Sequence, residues 1–103
     1  MTLGIVLVTT GSEAEAQTIA RSLVEAKLAA CVSYTPVRSV YTWDGVVHDD
    51  AEWQLVIKTD LDRFAELEQR VMTLHAYAVP EIIAIPIAQG AAPYIQWLTT
   101  SLA

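Results

Sequence analysis

Between Cys31 and Thr59 two strand-like runs flank Asp44-Gly45, a dipeptide suited to a type I′ turn. In the second run Trp53, Leu55 and Ile57 alternate with Gln54, Val56 and Lys58, a period of two that turns the first set toward a buried face. Pro36 removes a ladder donor from the first run, so a bulge or an edge position is expected there, with a switch of faces. If both arms are extended, about 13 residues at roughly 3.3 Å each make a ribbon on the order of 40 Å long. A compact chain of about 100 residues is only roughly 34 Å across. The ribbon overshoots its own domain and carries Tyr41, Trp43 and Trp53 toward or past its edge. A hairpin alone is marginal in water, so its distal part is expected to be buried against other copies of the chain.

The pattern elsewhere predicts five more elements. Leu3 to Thr9 is a nearly continuous apolar run, read as a central strand buried on both faces. Ser12 and Glu15 form a capping box for a helix with Ala16, Ile19, Ala20, Leu23 and Val24 inward, ending near Ala29 or Ala30. Thr59 and Asp62 suggest a second box, opening a helix with Phe64, Leu67, Val71 and Leu74 on one side and ending near His75-Ala76-Tyr77, before Pro80. Glu81 to Ala88 reads as a fourth strand, which Pro86 restricts to an edge or a bulge. After Gly90 a short helix carries Tyr94, Trp97, Leu98 and Leu102. The order is that of an α+β, ferredoxin-like βαββαβ fold, one domain over residues 1–103, with a protruding β-hairpin and a C-terminal helix.

Composition narrows the function classes. At 53% hydrophobic and 17% charged residues, the 103-residue chain is no disordered segment and has more apolar surface than a small monomer easily hides. A net charge of -6 without clustered Lys or Arg argues against nucleic acid or an anionic membrane as partner. One cysteine excludes an intrachain disulfide, and the first residues lack a basic n-region, so a soluble, cytoplasmic protein is expected.

Candidate chemistry is sparse. Cys31, His48 and His75 cannot by themselves make a closed zinc site, which takes four ligands at short spacings. Cys31 lies in an apolar setting, as small buried cysteines do, and His75 stands where a helix-terminal histidine meets the last carbonyls. Imidazole and carboxylate from adjacent subunits would suit copper or zinc. No base or elbow-like turn attends Cys31, so no enzyme is expected. Thr9-Thr10-Gly11-Ser12 has one glycine and reads as a helix cap rather than a phosphate loop. Trp43, Glu52, Lys58, Tyr77 and Glu81 mix aromatic faces with both signs of charge and would form either a ligand cleft or interface packing if the ribbon of one subunit lies over another.

Several separate runs, in order, carry a resemblance. Leu28 to Val32, Pro36 to Gly45, Glu52 to Thr59, His75 to Ala84 and Gly90 to Trp97 are similar to the CutA1 family of divalent-cation tolerance proteins over nearly the whole chain. The resemblance implies a ferredoxin-like subunit in a homotrimer whose ribbons pair between subunits, and an association with copper and metal tolerance. It points to His75, in the place of the family's His-Pro-Tyr histidine, and Cys31, in its Ala-Ala-Cys motif, as metal ligands. Further ligand positions of some members are Val8 and Leu74 here, and Ala76 replaces the proline. The family's intersubunit cleft maps onto Trp43, Glu52, Lys58, His75, Tyr77 and Glu81. The resulting expectation is a cytoplasmic homotrimer that binds Cu(II) or another divalent cation weakly, without turnover. The alternative is a regulatory trimer that senses a small anionic or zwitterionic metabolite through Lys58 and Glu81.

Overall fold

The computed structural model describes residues Met1–Ala103. Strand β1 (Leu3–Thr10) is followed by helix α1 (Glu13–Glu25), strands β2 (Cys31–Trp43) and β3 (Val46–Asp60), helix α2 (Phe64–Leu74), strand β4 (Ile82–Pro86) and helix α3 (Ala92–Leu102). The four strands make one sheet in the order β2-β3-β1-β4, with every neighbouring pair antiparallel. This is the βαββαβ arrangement that the periodicity predicts.

Helices α1 and α2 cover one face of the sheet. Val6, Val8, Leu55 and Ile57 meet Ala16, Ile19, Leu23, Leu67 and Val71 there, all fully buried. On β1 the burial alternates: Val6, Val8 and Thr10 are buried while Leu3, Ile5, Leu7 and Thr9 are half-buried. The expectation of a strand buried on both faces is thus corrected, because only one face has helices across its breadth. Helix α3 lies on the opposite face at one end, where the Lys58 ammonium stands 5.5 Å from the centre of the Tyr94 ring. Leu98 and Leu102 are buried beneath it, whereas Tyr94 and Trp97 remain exposed.

Three local expectations are also revised. Helix α1 stops at Glu25 rather than near Ala29, because Lys27 turns left-handed (φ 57°) and the amides of Leu28 and Ala29 both return to the Leu23 carbonyl. Val24 accordingly faces water. The second cap is Asp60, whose Oδ1 accepts from the amides of Thr2 and Asp62 at 3.0 Å each, and a short 3-10 turn at Leu61–Arg63 precedes α2. Pro36 occupies an edge strand without a bulge: β2 pairs with β3 in unbroken register from Cys31↔Lys58 to Trp43↔Val46. The faces therefore do not switch. What changes past Pro36 is coverage, since α1 shields Val32 and Tyr34 but no helix reaches the distal ribbon.

Asp44 (φ 51°) and Gly45 (φ 76°) form the positive-φ pair that a type I′ turn requires. The ribbon makes the chain 44 Å long against 25 and 21 Å in the other directions. Its far end leaves Val40, Trp43, Val46 and Val47 more than half exposed.

Candidate functional site

The alternation that buries Leu55 and Ile57 under the helices sends Glu52 to the opposite face. Odd-numbered residues of β2 share that face, so Ser39, Tyr41 and Trp43 stand beside it. The segment after α2 wraps the end of β1 and brings Tyr77, Val79 and Glu81 across from them. A cleft of about 700 Å³ results between ribbon and loop.

A chain of polar contacts holds the loop. The Tyr77 amide donates to His75 Nδ1 at 3.0 Å, which leaves the proton on Nε2, and Nε2–H donates to the Thr9 carbonyl at 2.6 Å. Glu15 Oε1 accepts from the Ala76 amide and lies 3.2 Å from Nδ1. The Tyr77 hydroxyl donates to Glu52 Oε2 at 2.7 Å. Burial, and then this bond to the Glu52 carboxylate, hold the Tyr77 phenol well above its ordinary range. Tyr41 is raised too, first by its 2.6 Å hydrogen bond to Asp50. Gly11 lets the Tyr77 hydroxyl come close: a Cβ there would stand 3.1 Å from Tyr77 Oη, so the phenol would have to shift by a few tenths of an ångström.

Of the residues that the sequence singles out, the structure brings Trp43, Glu52, Tyr77 and Glu81 together in the cleft wall, with His75 directly behind Tyr77. Lys58 is set apart, six residues from Glu52 along β3 and so roughly 20 Å away. Within one chain Lys58 does not line this cleft. Cys31 pairs with Lys58 at the far end of the sheet, while His75 bonds to Thr9, whose row lies four residues along. Roughly 13 Å of strand separates these two rows. The His75 side chain is fully buried with both ring nitrogens engaged. No three His, Cys, Asp or Glu side chains gather into a metal-holding group, so one chain alone does not fit a multidentate metal centre. Sequence reasoning missed Tyr41, Val79 and the role of Gly11. The parity that Tyr41 shares with Trp43 could have placed it; the approach of Gly11 to Tyr77 spans 66 residues and had no local signal.

Fold and site together define a small α+β domain with a ribbon-borne acidic and aromatic cleft. The family model described as "CutA1 divalent ion tolerance protein" matches residues 4–101. The chain belongs to this family. A divalent-cation tolerance protein CutA of Thermus thermophilus is 50% identical over 95 residues, covering 91% of this chain and 92% of that one. The solved structure of an Archaeoglobus fulgidus CutA, described as a periplasmic divalent cation tolerance protein, superimposes with a TM-score of 0.95 at 35% identity, over 98% and 99% of the two chains. A Thermus thermophilus Cut A1 structure gives 0.90 at 48% identity over 93% and 94%. No helix of the chain is long and apolar enough to cross a membrane.

Proposed function

We propose that the chain works as a homotrimer that binds a divalent cation, Cu(II) foremost, and acts in metal-ion tolerance by binding, without turnover. The observation that carries this reading is the cleft: its charge is wholly negative, from Glu52 and Glu81, in a member of a divalent-ion tolerance family. Because one chain assembles no three-ligand group, the ligands come from more than one copy. His75 takes part once Nδ1 gives up the Tyr77 amide, and then offers imidazole beside the Glu15 carboxylate, a donor pair that suits Cu(II). Cys31 is the second candidate, at the other end of the sheet. Calorimetry with Cu(II) on wild type, Glu52→Gln, His75→Ala and Cys31→Ala is the test, and equal affinities in all four would remove these ligands. We place the protein in the cytoplasm; the A. fulgidus relative is described as periplasmic, so recovery in an osmotic-shock fraction would overturn that placement.

A second reading, a trimer that senses a small molecule, is favoured by the size and lining of the same cleft. About 700 Å³ walled by Tyr41, Trp43 and Tyr77 is far more room and apolar surface than a metal ion uses. A thermal-shift screen separates the two, since a specific ligand raises the melting temperature with its concentration.

A further inference from the structure

Helices α1 and α2 turn Ala16, Ile19, Leu23, Leu67 and Val71 onto the sheet. The groove between their outer faces therefore opens on the far side of the molecule from Ile83 and Ile85, which pair with β1 residues that point away from the helices. It shares no residue with the ribbon or with the cleft. Arg70 crosses this groove from α2 and donates from Nη1 to Ser22 Oγ on α1 at 3.1 Å, parting it into basins of about 470 and 430 Å³. Every other arginine holds a carboxylate: Arg21 meets Glu25 at 2.9 Å, Arg38 meets Asp49 at 2.8 Å and Arg63 meets Glu66 at 3.2 Å. In a chain of net charge -6, Arg70 alone makes no ion pair, and its single bond to a hydroxyl leaves most of the guanidinium's N–H donors free. Glu25 and Glu66 also reach the groove, but Arg21 and Arg63 already answer their charge. The charge of Arg70 is left over.

The donors around it say which anion fits. A guanidinium is a planar fork that matches two oxygens of a phosphate or a carboxylate at once. Arg21 lines the larger basin too and spends only Nε on Glu25, so its Nη groups remain to donate. Ser22 Oγ accepts from Arg70 and keeps its own proton to give. A carboxylate has no oxygen left for Arg21 and Ser22 once both are on the fork. The terminal phosphate of a monoester has a third. Long polyanions and anionic membranes are repelled by the acidity of the whole chain, which a small dianion feels least. We propose that the outer groove between α1 and α2 binds the phosphate group of a small phosphomonoester, with two oxygens on Arg70 and the third shared by Arg21 and Ser22.

The probes are phenyl phosphate, inorganic phosphate, acetate and chloride, titrated at constant ionic strength into the assembled protein and followed by calorimetry and by the arginine Nε–H signals in NMR spectra. Both phosphates are expected to bind saturably, to move the signals of Arg70 and Arg21, and to leave those of Arg38 and Arg63 in place. Acetate is expected to bind several-fold more weakly, and chloride not measurably. Arg70→Gln, at an exposed helix position that leaves the fold intact, is expected to weaken phosphate about tenfold or more, as loss of a charged hydrogen bond does. Arg70→Lys keeps the charge without the fork and is expected to fall between the two. Ser22→Ala is expected to cost about threefold, the value of one neutral hydrogen bond. Equal shifts of all four arginines, which mean screening by salt, overturn the proposal, and so does phosphate binding that survives Arg70→Gln. Phosphate bound no better than acetate, or phenyl phosphate excluded where inorganic phosphate binds, removes the monoester. Flotation with vesicles containing phosphatidic acid is expected to leave the protein in the dense fraction; co-flotation would move the phosphate to a lipid headgroup and overturn the small-molecule assignment. The groove has no residue in the cleft, so none of these outcomes bears on cation binding there.

Discussion

Lys27 holds a left-handed backbone (φ 57°) where α1 ends, a conformation disfavoured by about 1–2 kcal/mol for a side chain with a Cβ. Glycine relieves that strain but has more backbone freedom to lose on folding. Lys27→Gly is therefore expected to stabilise the protein by about 0.5–1 kcal/mol net, read as a higher urea midpoint; a lower midpoint would mean that the exposed Lys27 contact with the Ala103 carbonyl matters more. Tyr77 supplies a pH test. Its folded-state phenol titrates above the ordinary value of about 10, so the bond to Glu52 stabilises fully below that pH and fades as pH climbs toward the folded value. The gap in urea midpoint between wild type and Tyr77→Phe is expected to be widest near neutrality and to narrow above about pH 10. A gap independent of pH would show that Glu52 does not bear on the phenol. Neither residue announces itself in the sequence, because the αL turn at Lys27 carries no glycine and Tyr77 meets its carboxylate 25 positions away.

At the scale of elements, periodicity found every helix and strand, and the errors fall at helix ends, at Pro36 within β2 and in the two-sided burial expected of β1. Thr59 looks like a cap because a hydroxyl three residues before an acid fits the local rule. The cap is Asp60 because the buried Thr59 hydroxyl is turned inward, donating to the Leu28 carbonyl. Asp60 joins two elements at once, the N-terminal residues before β1 and the turn into α2. Asp60→Ala is expected to lower stability by about 1–2 kcal/mol, and Asp60→Asn, which keeps the acceptor, by much less. Chemical denaturation of the two variants checks this, and equal losses would assign the effect to charge. The ribbon was legible as a unit because Asp44-Gly45 and the alternation on both sides of it agree. Pro36 misled because edge and bulge share one sequence signal, and only the position of β2 in the sheet separates them.

For the whole molecule, apolar surface has been left where no element of this chain covers it. Val40 and Val47 are 68% and 70% exposed on the ribbon, Ile83 and Ile85 about half exposed on β4. Patches of this kind mark surfaces that partners cover. Replacing Val40 and Val47 by Glu removes no buried contact of the single chain, so the far-UV spectrum is expected to stay native while a wild-type oligomer sediments as 11.3 kDa subunits in the double variant. Unchanged sedimentation would move the interface off the ribbon. The amino-acid sequence by itself determined the secondary elements, their pairing into one α+β domain and the excess length of the hairpin. These follow from hydrophobic spacing and turn chemistry, which act between residues close in the chain. Only the tertiary structure decided that His75 is closed off behind Tyr77, that Cys31 and Lys58 lie at the other end of the sheet, and that the charges lining the cleft are both negative. Strand order and register set those distances, and they join residues tens of positions apart that no local pattern connects.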